Sequence, residues 1–221
     1  QDHLWLAKFP SSDDRHDVGA WEGLCRDLAS AAGINVPEAR AFQFSDRGTT
    51  YAVRRFDREN GSRRMYASAM TLLQRNDGDS ASYLEIAEAV ANFGDPVSIA
   101  DDLAELYRRI AFSIVVGNRD DHLRNHGFLR FPGGWRLSPA FDINPNPDKA
   151  EHALAIDEGD PSPSMDVLRA TCREYRLKPA QAATIENEVR HAVSGWDKQA
   201  AQRRIPGIQV TSMRAVISPD R

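Results

Sequence analysis

Asp120, Asn125 and Asp142 are the residues on which chemistry could turn. The stretch "VVGNRDDHLRNHGFL", residues 115–129, follows an apolar run directly with two adjacent carboxylates, two histidines, two arginines and two asparagines. Asp120 and Asn125 stand five positions apart there, and Asp142 follows in "AFDINP". Phosphoryl transfer asks little covalent chemistry of a protein. It needs a divalent metal on the phosphates, an amide and a carboxylate oxygen to hold that metal, and a carboxylate to orient the acceptor hydroxyl. Asp-x4-Asn followed by Phe-Asp supplies those three groups in chain order. Mg²⁺ prefers oxygen ligands and keeps several waters, so one amide and one carboxylate suffice when a nucleotide brings the rest. The site would be built around metal-bound ATP.

Such a site also needs a cation on the phosphates, carried on rigid structure. "HLWLAKF" (residues 3–9) reads as a strand, with Lys8 at an otherwise apolar place where an unpaired ammonium would be costly. A helix is predicted over 17–32, where Val18, Trp21, Leu24, Cys25 and Leu28 share one face and Gly33 stops the run; Glu22 on it is a candidate partner for Lys8. "ARAFQFS" and "TTYAVRRF" flank "DRG" as a hairpin, and backbone groups around Arg54 to Phe56 would bind adenine.

From Ala67 the pattern turns helical in "SAMTLLQ", "SYLEIAEAVANF" and "DDLAELYRRIAFSIVVG". In the last of these Leu103, Leu106, Tyr107, Ile110 and Ile114 form one stripe, and Ser98 with Asp101 predicts a capping box. A second hairpin is expected around "PGG", then loop through Pro145 and Pro147, then two or three closing helices. This is an α+β fold. It divides into a strand-rich part, 1–62, and a mostly helical part, 63–221.

Composition bounds the alternatives. A chain of 221 residues can bury about 70% of its unfolded surface. Its 41% hydrophobic and 27% charged residues are those of a globular protein rather than a disordered or membrane one, and the expected compartment is the cytoplasm. A net charge of −4 argues against bulk electrostatic binding of nucleic acid. Cys25 and Cys172 lie far apart in helical segments and read as small buried hydrophobes.

Each singled-out residue also has a plainer reading. An Asp-Asp-His run after a helix can be a solvated turn, and Asp142 a cap. Lys8 could snorkel, and Glu22 on its own reads as an exposed helix carboxylate. His126, His152 and His191 are most simply surface or core histidines, and Trp5, Trp21, Trp135 and Trp196 packing residues.

Four motifs in order carry a resemblance. "AKFPSSDD" with "WEGLCRDLASAAGINVPEA", "RRFDR", "RDDHLRNHGFL" and "WRLSPAFDINP" resemble, respectively, the phosphate-lysine strand and helix, the RFDR segment, the catalytic loop and the metal-binding loop of the HipA family of serine/threonine kinase toxins. The resemblance implies a protein-kinase-like fold and dependence on ATP and Mg²⁺. It implies Asp120 as the catalytic carboxylate with His122 supporting its loop, Asn125 and Asp142 as metal ligands, and Lys8 on the phosphates. It further implies a small HipB-like helix-turn-helix antitoxin as partner, contact with DNA only through that complex, and a protein substrate of the aminoacyl-tRNA synthetase class. The family's glycine-rich loop, with its regulatory serine, has no counterpart before Lys8. A chain short of N-terminal strands is therefore expected, and a non-catalytic, antitoxin-binding fragment stands as one alternative. A small-molecule kinase of aminoglycoside or choline type is another, and a metal phosphohydrolase using Asp120, Asp121, His122 and His126 a third.

Overall fold

The computed structural model describes residues 3–59 and 61–219. The N-terminal region folds as β1 (Trp5–Lys8), α1 (Val18–Ala31), β2 (Ala39–Ser45) and β3 (Gly48–Arg54), the strands forming an antiparallel sheet in the order β1-β3-β2. The expected hairpin is β2-β3, and register sets Lys8 opposite Tyr51. Two-residue strands β4 (Arg58–Glu59) and β5 (Ser62–Arg63) follow, then β6 (Tyr66–Ser68).

Helix α1 is tied to β3 by its own cap. Asp17 Oδ1 accepts from Ala20 N at 3.1 Å and from Thr49 N at 3.0 Å, while Oδ2 accepts from Thr49 Oγ1 at 2.8 Å. One side chain thus satisfies a helix start and a strand edge together. A Cβ on Gly19 would lie 2.2 Å from Thr49 O, so only glycine allows helix and sheet to approach this closely.

The helical part contains α2 (Ala69–Leu72), α3 (Tyr83–Phe93), α4 (Ile99–Val116), the hairpin β7 (Gly127–Phe131)–β8 (Gly134–Leu137), then α5 (Met165–Ala170), α6 (Pro179–Val193), α7 (Trp196–Gln202) and α8 (Gly207–Met213). Four helices close the described chain, where two or three were expected. The stripe Leu103, Leu106, Tyr107, Ile110 and Ile114 on α4 is fully buried. At about 1.5–3 kcal/mol for each fully buried large apolar side chain, this helix anchors the core. That core is continuous: Trp21 of α1 stacks at a tilt on Trp196 of α7 (centroids 6.0 Å). Cys25 and Cys172 are free and buried, and burial pushes the Cys25 thiol up to about 12.

Two local expectations are corrected. Ser98 makes no side-chain cap bond, because its backbone is already right-handed helical (φ −119°, ψ −3°); the capping box lies instead at Ser82 and Glu85 on α3. Ala67 and Ser68 are strand, since β6 pairs with β7 to make a three-stranded sheet β6-β7-β8.

At the far end, Ser218 N donates to Val115 O at 2.9 Å, and Val216 sits so close to Gly117 that a Cβ there would lie 2.8 Å from its side chain. Residues 213–218 therefore brace the end of α4. No helix is long and apolar enough to cross a membrane among the described residues.

Candidate active site

Lys8 lies at the end of β1, and its ammonium donates to Glu22 Oε1 at 2.9 Å and Oε2 at 3.0 Å and also contacts Asp142 Oδ1. Glu22 is 3% exposed, against the plain reading of an exposed helix carboxylate. It is buried because α1 lies so close to the sheet, and its charge is tolerable because a strand lysine meets both oxygens. Burial pushes the Glu22 carboxyl up, with Lys8 opposing it. Burial alone would lower the Lys8 ammonium, but the charges of Glu22 and Asp142 outweigh it and raise its pKa. Lys8 is therefore a fixed cation with its head turned toward Asp142. In Glu22→Gln the lysine loses one charge-assisted bond, and nucleotide affinity should fall roughly tenfold, readable by calorimetry. Unchanged affinity would make the pair purely structural.

Asp142 follows β8 in a loop held from below. Arg136 donates twice to Asp102 (2.9 and 3.0 Å), Leu137 N donates to the same carboxylate at 3.3 Å, and Arg109 Nη2 donates to Ser138 O at 2.8 Å. Helix α4 thus grips the strand that leads to the loop. Asp142 itself adopts φ +59°, a left-handed conformation that aspartate tolerates better than most residues. Two residues on, Asn144 lies close enough to Glu22 to help hold its carboxyl down, while its Oδ1 is buried with no protein partner.

The second half of the site comes off the end of α4, where Gly117 takes φ +70°. The adjacent aspartates then part. Asp120 points out, its side chain 55% exposed, and meets the ammonium of Lys149. Asp121 turns into the core, accepting from Tyr83 OH at 2.9 Å and Ser113 Oγ at 3.4 Å, with His126 Nε2 3.1 Å from Oδ1. Burial alone would raise the Asp121 carboxyl; His126, Tyr83 and His152 bring it below the ordinary value. His126 and His152 are core histidines, as the plainer reading had it. Asn125 lies under Asp120, its Nδ2 donating to the Asp120 carbonyl at 3.4 Å, so the side-chain oxygen is the atom offered to a cation. His122 is half-buried; its carbonyl accepts from Asn125 N at 2.8 Å and its Nδ1 has no protein partner.

Two hollows meet at Asp142. One, about 270 Å³, is largely apolar and lined by Leu6, Lys8, Val53, Arg54, Phe56 and Phe141 as well as Asp142. The other, about 280 Å³, is lined by Asn118, Asp120, Asn125, Asp142 and Asn144. A flat apolar slot opens past a fixed ammonium into a chamber of carboxylate and amide groups. The larger hollow of about 980 Å³, between α3 and residues 152–161, holds none of the expected site residues.

Of the backbone donors expected to hold adenine, Arg54 N is spent on Glu38 O (2.8 Å) and Arg55 N on Leu4 O (2.9 Å), so a base in the slot would rely on other groups of that segment. The structure therefore brings together Lys8, Glu22, Asp120, Asn125 and Asp142, with Arg54 and Phe56 along the apolar wall. It separates Asp121 and His126 from Asp120, which removes the ligand set of a phosphohydrolase. Among the described residues no group of three or more His, Cys, Asp or Glu is placed to hold a metal by itself. Asn144 and Lys149 are added by the fold: neither carries a sequence signal beyond lying near Asp142, in the "FDINPNPDK" loop.

Residues 1–196 match the family model described as the HipA-like C-terminal domain. A Sinorhizobium fredii protein, Y4dM, named as a candidate kinase, is 29% identical over 157 residues, which is 63% of this chain and 36% of that protein. The HipA of Shewanella oneidensis, solved with HipB and its operator DNA, superposes with a TM-score of 0.75 at 18% identity, over 97% of this chain and 56% of its own. The Helicobacter pylori proinflammatory kinase CtkA superposes with a TM-score of 0.64 at 16% identity, over 88% of this chain and 78% of its own. The chain thus spans about a third to a half of the length of the first two, and shares the fold of the two solved structures.

Proposed function

Since the chain belongs to the HipA-like C-terminal domain family, we propose that it is the kinase part of a HipA-like toxin, transferring the γ-phosphoryl group of ATP to a serine or threonine hydroxyl of another protein. The observation that carries this reading is that Asp142 lines both hollows while Lys8, held by buried Glu22, sits on it. An apolar slot suits a planar base, a fixed cation suits phosphate oxygens, and an outward carboxylate beyond them suits an acceptor hydroxyl.

Residues 1–62 would form the lobe over the nucleotide, and residues 63–221 the lobe that presents Asp120, Asn125 and Asp142. The donor set for a metal fits magnesium: Asn125 and Asp142 offer hard oxygens, and the buried Asn144 Oδ1 beside them lacks a protein partner. Magnesium, when bound, would neutralise charge on the phosphates. The chain's own contributions are separate from that. Lys8 holds phosphate, with Glu22 fixing its direction. Asp120 orients the acceptor hydroxyl and takes its proton as the oxygen attacks phosphorus. His122 supports the catalytic loop through its backbone. Because the Shewanella HipA was solved with HipB and operator DNA, we extend the reading to a HipB-like helix-turn-helix antitoxin as partner, with DNA reached through it. The resemblance of the catalytic segments suggests a protein substrate of the aminoacyl-tRNA synthetase class.

Calorimetry with ATP, with and without Mg²⁺, followed by transfer of labelled phosphate, tests this. Binding that requires Mg²⁺, and label that appears on protein, is the expected result. Absence of binding under both conditions would overturn the reading for this chain. Label appearing on an aminoglycoside or amino alcohol instead would move it to a small-molecule kinase.

A further inference from the structure

Lys149 has no place in the scheme so far, yet it meets the outward carboxylate of the site. Its ammonium contacts Asp120 Oδ1, and both side chains are about half exposed. An ion pair in that setting is often incidental. Here the backbone argues otherwise. The carbonyl of Lys149 accepts from Arg119 Nη1, and Arg119, next to Asp120, is buried. On either side of Lys149 the same loop is stapled to the same segment: Asn146 N donates to Gly117 O at 2.9 Å and Ala153 N to Arg119 O at 3.0 Å. Three main-chain attachments therefore fix where the Lys149 stem starts, and only its four-carbon side chain remains free to move. The two outward carboxylates of the site each hold one ammonium, Lys8 on Asp142 and Lys149 on Asp120.

The two lysines differ in how they are held. Lys8 is gripped by both oxygens of a buried glutamate, which keeps it in place when a phosphate arrives. Among the described residues the Lys149 ammonium meets only the exposed Asp120, and a flexible ammonium follows the larger negative charge. Resting on the phosphotransfer reading above, we propose that Lys149 is the cation for the transferred phosphoryl group, parked on Asp120 until ATP enters and then moving onto the γ-phosphate oxygens. This move frees Asp120 for the acceptor. In the transfer, the acceptor oxygen bonds to the γ-phosphorus, the bond from that phosphorus to the β,γ-bridging oxygen breaks, and ADP leaves with that electron pair. The acceptor proton passes to Asp120, and Lys149 keeps its three protons throughout, stabilising charge on the equatorial oxygens.

A residue on the γ-phosphate must discriminate ATP from ADP, which a merely structural lysine would not do. The full chain, Lys149→Met, Lys149→Arg and, as a charge control, Lys198→Met, should be titrated with ATP and with ADP in Mg²⁺ and assayed for transfer. Lys149→Met should lower the preference for ATP over ADP about tenfold and the transfer rate by a similar or larger factor, with ADP affinity kept. Lys149→Arg should restore most of both, and Lys198→Met should change neither. An ATP-to-ADP ratio unchanged in Lys149→Met overturns the inference whatever the rate does, while leaving the kinase reading intact. Failure of the unaltered chain to bind either nucleotide would overturn that reading, and the role of Lys149 with it.

Discussion

Asp142→Asn should abolish magnesium-dependent nucleotide binding and lower phosphoryl transfer by a factor on the order of a hundred to a thousand, the scale on which loss of one group that stabilises developing charge is felt. The substitution removes a formal charge and one hard oxygen while keeping the shape. The fold should survive for two reasons. Asparagine accepts the left-handed backbone at φ +59° as readily as aspartate does. Lys8 also keeps both bonds to Glu22, so no ammonium is stranded. Alanine at this position would be a poorer test, because it adds about 1–2 kcal/mol of backbone strain. Calorimetry with and without Mg²⁺, beside a thermal unfolding curve, separates the effects. Magnesium-dependent affinity within about threefold of the unaltered chain would remove Asp142 from the site.

Neighbouring aspartates should give opposite results. Asp120→Asn should cut transfer by about 10²–10⁴-fold, the usual worth of a positioned acid or base, and leave both nucleotide affinity and stability nearly unchanged. Its ion pair with Lys149 is half exposed, and such pairs contribute about 0–1 kcal/mol. Asp121→Ala takes the acceptor from a buried tyrosine hydroxyl and the carboxylate partner from a buried histidine, at a cost of roughly 1–3 kcal/mol for each polar group left unsatisfied. For a chain of this size that lowers the melting temperature by roughly 10 °C. Thermal unfolding and transfer measured on both variants decide the matter. If Asp121→Ala were stable and inactive while Asp120→Asn unfolded, the two roles would have to be exchanged.

Asp120, Asn125 and Asp142 were legible as a candidate site because their spacing is local: Asp120 and Asn125 share one loop, and Asp142 follows a hairpin with clear turn residues. Long helices were legible for the same reason, since α4 repeats its apolar residues over several turns. What escaped was non-local or short. Strand β6 reads as the start of a helix because its pairing partner, β7, lies some sixty residues further on. Helices α7 and α8 have only seven residues each, too few to display a 3.6-residue period, so the end of the chain was undercounted. The burial of Glu22 depends on a glycine-permitted approach of helix to sheet that no helical pattern reports. Ser98 and Ser82 both sit three residues before an acidic side chain; backbone conformation alone decided which of them caps. Lys149 lies in a proline-rich loop whose position is set by attachments to residues 117–119.

The packing of Val216 onto Gly117 bears on how such a domain can diverge. The family match ends at residue 196, yet Val216 packs against Gly117 and Ser218 bonds to Val115, at the point where the loop bearing Asp120 begins. The inherited motif and the physical unit therefore have different borders. Relatives that share Asp120, Asn125 and Asp142 can still differ in the rigidity of the loop that follows Gly117 through substitutions in a tail that motif comparison passes over. For this chain, a cut made at the motif's border would leave Leu106 and Ile110 in place and strip the covering from Gly117, where the loop bearing Asp120 begins.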